Sequence, residues 1–285
     1  MQNGIITKGI GGFYYVLSED NVYECKARGV FRKEKITPTV GDRVVIEAKN
    51  GKGSIVEILP RKNSLIRPAV SNVDTLVIVT AAASPNPNLM LIDKMLVHAH
   101  RSGIKPVICI NKTDLADRRD IVDIYTKAGY EVLSVSASKM ENVDSLKKLI
   151  NNKITAFAGL SGVGKSTLLN LLTNAGLETG GLSEKIERGK HTTRHVELIS
   201  ISGGFVFDTP GFSSLELPEM DETELENYFP EIDAVKDDCK FRGCSHIKDA
   251  GCAVREAVNA GEIASSRYES YCQMHEILKS GKAYK

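Results

Sequence analysis

Apolar and polar residues alternate in four short runs early in the chain: Phe13-Tyr14-Tyr15-Val16-Leu17, Val22-Tyr23-Glu24-Cys25-Lys26, Asp42-Arg43-Val44-Val45-Ile46-Glu47 and Ser54-Ile55-Val56-Glu57-Ile58-Leu59. A polar turn or glycines separate these runs, and a period of two at such spacing predicts short strands forming a small barrel. An OB-fold is the expected type, because exposed strands bearing aromatic and basic residues suit RNA. Further along the pattern changes to short continuous apolar runs at 106–110, 131–133, 154–158 and 205–207, each followed by a polar turn. Helical patterning lies between and after them: an amphipathic stretch begun near Asn88, then 143–150, 167–172 and 268–279. Buried strands alternating with helices predict an open parallel α/β sheet.

The turns after these strands carry the candidate chemistry. Gly159-Leu160-Ser161-Gly162-Val163-Gly164-Lys165-Ser166 follows one strand and opens an apolar helix. Its glycines let successive backbone N–H groups point at phosphate oxygens, and the helix adds its positive end. Lys165 is expected to reach the β- and γ-phosphates, Ser166 to ligate magnesium, and Ser161, Gly162, Val163, Gly164 and Thr167 to line the nucleotide. Asp208-Thr209-Pro210-Gly211 ends another strand, which puts the Asp208 carboxylate beside the magnesium water shell and offers the Gly211 N–H to the γ-phosphate.

Asn111-Lys112-Thr113-Asp114 also ends an apolar strand. A carboxylate at Asp114 can accept from both N1–H and the 2-amino group of guanine, whereas adenine offers no such donor pair, and an unpaired carboxylate against the wrong base is costly. Within Ser134-Val135-Ser136-Ala137-Ser138, the backbone at Ser136 and Ala137 is expected to meet the guanine carbonyl. The base motifs precede the phosphate loop, the reverse of the usual GTPase order. Moving them to the end restores that order, so the original termini were joined between Ala137 and Gly159, a stretch with room for one helix and a turn.

Cys239, Cys244, His246 and Cys252 are spaced C-x4-C-x-H-x5-C. Three thiolates and one imidazole within so short a stretch can hold one zinc ion tetrahedrally with little core of their own. Cys272 and His275, on the last predicted helix, are reserve ligands. Cys25, Cys109 and Cys272 are scattered, which argues against a disulfide framework and for a reducing compartment. His98 and His100, on the helix begun near Asn88, and Cys109, inside a strand, are read as structural residues.

Length and charge change the picture in two ways. A chain of 285 residues exceeds what one core usually holds, and the expected division is 1–67 (barrel), 68–228 (GTPase) and 229–285 (zinc module). The net charge of +1 hides an uneven distribution: residues 1–67 hold twelve Lys or Arg against seven Asp or Glu, whereas the remainder is acidic. Arg28, Arg32, Lys33 and Lys35 form the densest basic cluster, the expected RNA contact. No run approaches a membrane span and no targeting peptide is expected, so the predicted setting is the cytoplasm.

The permuted motif order, Gly189-Lys190-His191-Thr192-Thr193 and the C-terminal Cys/His cluster together resemble the circularly permuted bacterial GTPases of the RsgA type, along the whole chain. The resemblance implies a Mg2+-dependent GTP-to-GDP switch in late maturation of the small (30S) ribosomal subunit, acting as a monomer, contacting rRNA and stimulated by the subunit. Many GTPases orient the attacking water with a glutamine after the DxxG turn; here that position is Phe212. His191 is the candidate replacement, since the family's histidine at this place is thought to move toward the γ-phosphate. Thr192 or Thr193 is expected to meet magnesium in the GTP state, with Thr193 also counted as catalytic. Arg194 departs from the family's third threonine and leaves that choice open. Two other classes stay open: a GTPase acting on transfer RNA or another structured RNA, and a binding module that holds GTP with only incidental turnover.

Overall fold

The computed structural model describes residues 1–33, 35–66, 69–174, 196–201, 203–208 and 216–281. In chain order the strands are β1 (Gln2–Ile10), β2 (Phe13–Ser18), β3 (Asn21–Ala27), β4 (Arg43–Lys49), β5 (Lys52–Ile58), β6 (Ser64–Ile66), β7 (Ala69–Ser71), β8 (Thr75–Ala81), β9 (Lys105–Asn111), β10 (Glu131–Ser134), β11 (Ile154–Ala158), β12 (Glu197–Ile201) and β13 (Gly204–Asp208). The α-helices are α1 (Val30–Lys33), α2 (Leu89–Arg101), α3 (Arg119–Lys127), α4 (Val143–Ile150), α5 (Lys165–Asn174), α6 (Pro230–Asp233), α7 (Ala253–Asn259) and α8 (Ser265–Gly281). No helix among the described residues is long and apolar enough to cross a membrane. The chain divides into two compact units, the first Met1–Leu76, Asp144–Ala158 and Lys165–Ser213, the second Val77–Val143, Gly159–Gly164 and Ser214–Lys285.

In the first unit the predicted barrel closes. β1 pairs antiparallel with β2 and β4, β2 with β3, and β4 with β5, while β3 and β5 run parallel. Every strand of this OB-like barrel therefore has two neighbours, which removes the open edges that invite aggregation. Alternation decides the interior, where Ile6, Val16, Cys25, Val44, Ile46 and Ile55 are fully buried, and burial pushes the Cys25 thiol up to about 11. The β1–β2 register shifts between Ile6 and Lys8, and just beyond it β1 pairs with β12, where the Lys8 ammonium sits 3.2 Å from Glu197. β12 is antiparallel to β13, which runs parallel to β11.

Asp42 anchors the end of the barrel. Its buried carboxylate accepts from the Thr39 N–H at 2.7 Å, the Arg61 guanidinium at 2.7 Å and the Ser71 hydroxyl at 2.6 Å. Gly41 next to it has φ +94°, and a Cβ there would stand 2.2 Å from the Ser71 carbonyl oxygen. Close passage of two backbones leaves no room for a side chain. Of the basic cluster, Arg28 is exposed and paired with Glu47 at 2.6 Å, and Lys35 is exposed.

In the second unit β9 lies between β10 and β8, with β9 and β10 parallel. Asn88 caps α2, its side chain accepting from Leu91 N–H at 3.0 Å, as expected of an N-cap asparagine. The C-terminal helices of this unit gather around Phe229, Ile232, Val254, Tyr271 and Met274. Arg267 of α8 is 1% exposed, 2.6 Å from the buried Asp93 carboxylate of α2 and 2.6 Å from Glu231 of α6. Its guanidinium also lies over Phe229, Tyr130 and Tyr125, at 4.4, 5.4 and 5.6 Å from the ring centroids, and the Tyr125 hydroxyl donates to the same Asp93 oxygen at 2.8 Å. A buried guanidinium needs such partners, since removing one side of a buried pair leaves an uncompensated charge. Arg267→Met is therefore expected to destabilise the protein by about 3–5 kcal/mol, read as a lower urea midpoint at unchanged slope.

Candidate functional site

The nucleotide motifs meet through Asn111. The Asn111 side chain, 1% exposed at the end of β9, donates from Nδ2 to the Val163 carbonyl at 2.9 Å and accepts at Oδ1 from the Ala137 N–H at 3.1 Å. One amide thus fastens the phosphate loop and the serine loop to the strand end. Its polar atoms are engaged with backbone, so it acts as a scaffold for those two loops. Lys112 has φ +62°, and its Nζ donates to the Ser84 carbonyl. The Thr113 N–H and hydroxyl both donate to the Val135 carbonyl, at 3.2 and 3.0 Å.

Asp114 is presented as an acceptor. The Ser136 hydroxyl donates to Oδ1 at 2.5 Å and that of Ser138 to Oδ2 at 3.1 Å. These bonds, Ser136 first, hold the Asp114 carboxyl below the usual carboxylate range, because hydrogen bonds to the charged form favour it. Each oxygen keeps a second lone pair for a ligand donor. The serine loop is closed on itself by reciprocal backbone bonds between Ser136 and Glu141, at 3.1 and 3.0 Å. From sequence only backbone is expected to act in this loop; the hydroxyls of Ser136 and Ser138 are what that expectation lacks, although the repeated serines carry the signal.

The phosphate loop belongs to the same unit from Gly159 to Gly164. Gly159 has φ +140°, and a Cβ there would lie 2.1 Å from the Val79 carbonyl oxygen; Gly164 has φ +94°, and its Cβ would lie 2.3 Å from Asn111 Nδ2. Val163 is buried, whereas Ser161 and Gly162 are exposed. α5 starts at Lys165, which places Ser166 and Thr167, both exposed, in its first turn. There the first helical N–H groups lack intrahelical partners. Asp208 closes β13. His191, Thr192, Thr193, Gly211 and Phe212 lie outside the described residues, as do the side chains of Arg32 and Lys33.

The second candidate centre is the Cys/His cluster. The ligand atoms of Cys239, Cys244, His246 and Cys252 lie within 4.8 Å of one another. The sulfurs of Cys239 and Cys252 are 3.9 Å apart, and each is 3.5 Å from His246 Nδ1. Zinc–sulfur bonds of about 2.3 Å imply tetrahedral edges of about 3.8 Å, so donor set and spacing both fit one zinc ion. His246 has φ +61°, and its carbonyl accepts from the Tyr268 hydroxyl at 2.7 Å. Burial pushes the Cys244 thiol up to about 12 and that of Cys252 upward as well, so loading a metal there releases protons. Cys272 and His275 on α8 are not among the four residues gathered.

The remaining singled-out residues have packing roles. Cys109 is fully buried in β9, and His100 Nε2 lies 3.1 Å from the Tyr130 hydroxyl. His98 donates from Nε2 to the Glu216 carbonyl at 2.7 Å; burial lowers its pKa, which keeps the ring neutral.

A base loop, a serine loop and a downstream phosphate loop joined through one asparagine make this a circularly permuted GTPase. The RsgA GTPase family model matches residues 58–218 and the RsgA N-terminal domain model residues 3–56. The protein is 48% identical to "Small ribosomal subunit biogenesis GTPase RsgA" of Ruminiclostridium cellulolyticum, over 100% of this chain and 96% of that one. Against the protein of the same name from Alkaliphilus metalliredigens it is 48% identical over 100% of both. Among solved structures it is similar to "YloQ, a circularly permuted GTPase", at 42% identity and TM-score 0.84 over 98% of this chain and 96% of that one. It is also similar to YjeQ from Thermotoga maritima, at 36% identity and TM-score 0.82 over 97% and 98%. The chain belongs to the RsgA GTPase family.

The loop geometry generates a direct test. Gly164→Ala would press a Cβ into the Asn111 amide and strain a left-handed backbone, a cost of about 1–2 kcal/mol before any loss of the Asn111 bonds. GTP affinity is expected to fall about tenfold or more, measured by fluorescent-nucleotide titration.

Proposed function

We propose that this protein is a GTP-hydrolysing switch in late maturation of the small (30S) ribosomal subunit, that it binds rRNA, and that the subunit stimulates its turnover. The observation that carries the reading is the Asp114 carboxylate, held ionised by Ser136 and Ser138 beside a loop that Asn111 fastens to the phosphate loop. An acceptor pair of this kind matches the donor edge of guanine and no edge of adenine. The names of the full-length relatives supply the partner, and the closed barrel supplies a surface of the type that binds single-stranded RNA.

In this reading residues 1–67 contact RNA, 68–228 turn over the nucleotide and 229–285 form the zinc module, in a cytoplasmic monomer. The family models, which end at 56 and 218, support the first two parts. Asp114 reads the base, with the Ser136–Ala137 backbone at the guanine carbonyl and Lys112 alongside. Gly159, Ser161, Gly162, Val163 and Gly164 present their amides to the phosphates, Lys165 places its charge on the β- and γ-oxygens, and Thr167 completes the first turn of α5. Mg2+ would be held by Ser166 and by Thr192 or Thr193, with Asp208 behind its water shell and Gly211 at the γ-phosphate; it supplies charge neutralisation for the transferred phosphoryl group. Phe212 has no group to orient water, and His191 takes that part, with Thr193 beside it.

Two outcomes check this reading. Asp114→Asn should lose GTP and gain xanthosine triphosphate, whose edge carries a carbonyl where guanine has its amino group; unchanged GTP affinity in a binding titration would sink the base assignment. Slow turnover alone and strong stimulation by purified 30S subunits are expected, with His191→Ala losing most of the stimulated rate and little GTP affinity. Equal stimulation by 50S subunits or transfer RNA, in a phosphate-release assay, would replace the maturation role with a general RNA switch.

A further inference from the structure

The segment after residue 215 is held from both sides. Toward α2, His98 donates to the Glu216 carbonyl at 2.7 Å, and Arg101 donates to the Glu219 carbonyl at 2.7 Å and to the Glu224 carboxylate at 3.0 Å. Asp221 then opens a 3-10 helix, Glu222–Tyr228, through a reciprocal capping box with Glu224. From that helix Glu226 turns toward the Cys/His cluster: its Oε2 lies 2.9 Å from His246 Nε2 and its Oε1 3.5 Å from Lys236 Nζ. On the far side of the same imidazole, Nδ1 faces the sulfurs of Cys239 and Cys252 at 3.5 Å each.

An imidazole that ligates through Nδ1 must carry its remaining proton on Nε2, and a buried N–H there needs an acceptor. Glu226 is that acceptor. It fixes the tautomer and stops the ring from rotating about χ2. Neither the cysteine spacing nor the histidine position predicts it, because Glu226 lies thirteen residues before Cys239, on the connection from the GTPase fold.

We propose that Glu226 is the outer-shell positioning residue of the metal centre, holding His246 as an Nδ1 ligand and so fastening the zinc module to the segment that α2 grips. The inference rests on the zinc reading of the cluster. Its test is the zinc dissociation constant of the full-length protein, by competition with a chromophoric chelator, for the parent, Glu226→Ala and Glu226→Gln. Glu226→Ala is expected to bind zinc about 10–100-fold more weakly. Glu226→Gln, whose amide oxygen still accepts from Nε2, is expected to fall between it and the parent, which separates orientation of the ring from a general loss of folding. Parent-like zinc affinity in Glu226→Ala overturns this assignment alone. A parent protein that binds no zinc overturns it together with the zinc reading.

Discussion

The nucleotide half of the second unit depends on one buried amide. Asn111 is the last residue of β9, and its two side-chain atoms are spent on the Val163 carbonyl and the Ala137 N–H. Because both bonds are buried, losing one partner leaves an unsatisfied polar atom and costs about 1–3 kcal/mol, more than the bond itself contributes when made. The amide therefore sets the spacing between the glycine-rich loop at Val163 and the serine loop at Ala137. Gly164 must be glycine for the same reason, since a Cβ would occupy the space of the Asn111 nitrogen. The permutation leaves this arrangement intact, because the contacts depend on where strand ends lie in the sheet and not on which loop comes first along the chain.

Elsewhere in that unit, the buried charge of Arg267 is matched on several sides. Arg267 lies between Asp93 and Glu231 and under three aromatic rings. The guanidinium suits this place because its planar, weakly hydrated head can pair at its edge and stack on its faces at once; a lysine could do the first only. Asp42 plays a matching part in the first unit, where one carboxylate takes the Thr39 amide, Arg61 and Ser71. Both are long-range arrangements. Apart from the local Thr39 amide, the hydrogen-bonding partners are 19 to 174 residues apart in sequence.

That separation explains what could be read in advance. Four of the five barrel strands were legible because alternation of inward and outward residues is local, and Val16, Val44 and Ile55 fill the interior as a period of two requires; β1, which brings Ile6 to the same interior, lies outside those four runs. The Cys/His cluster was legible because its spacing is itself the signature, and the helix begun near Asn88 because its cap is a neighbour of the residues it caps. The closure of β1 on β4 and the parallel β3–β5 pair carry no local mark. Asn111 was legible as part of a base motif, yet its work on two backbone loops depends on where residues 137 and 163 come to lie. Ser138 and Glu226 are of the same kind, hydrogen-bonding partners whose function exists only after folding.

The permutation also gives the chain a mechanical consequence. Joining the old termini through α4 frees the end that follows the DxxG turn, and the Cys/His cluster is attached there. Within the second unit, Lys112 of the base motif bonds the Ser84 carbonyl, α2 starts four residues later at its Asn88 cap, and the last turn of α2 grips Glu216 and Glu219. Glu226 then carries the same segment to His246. The bonds that hold the segment itself end on the backbone carbonyls of Glu216 and Glu219 and on the buried His246 imidazole, so the segment cannot slide without breaking a named bond. A displacement of Glu216 or Glu219 would either carry the end of α2 with it or break the His98 and Arg101 contacts. Such an either-or response, rather than gradual bending, is what packed elements provide and what a two-state device requires.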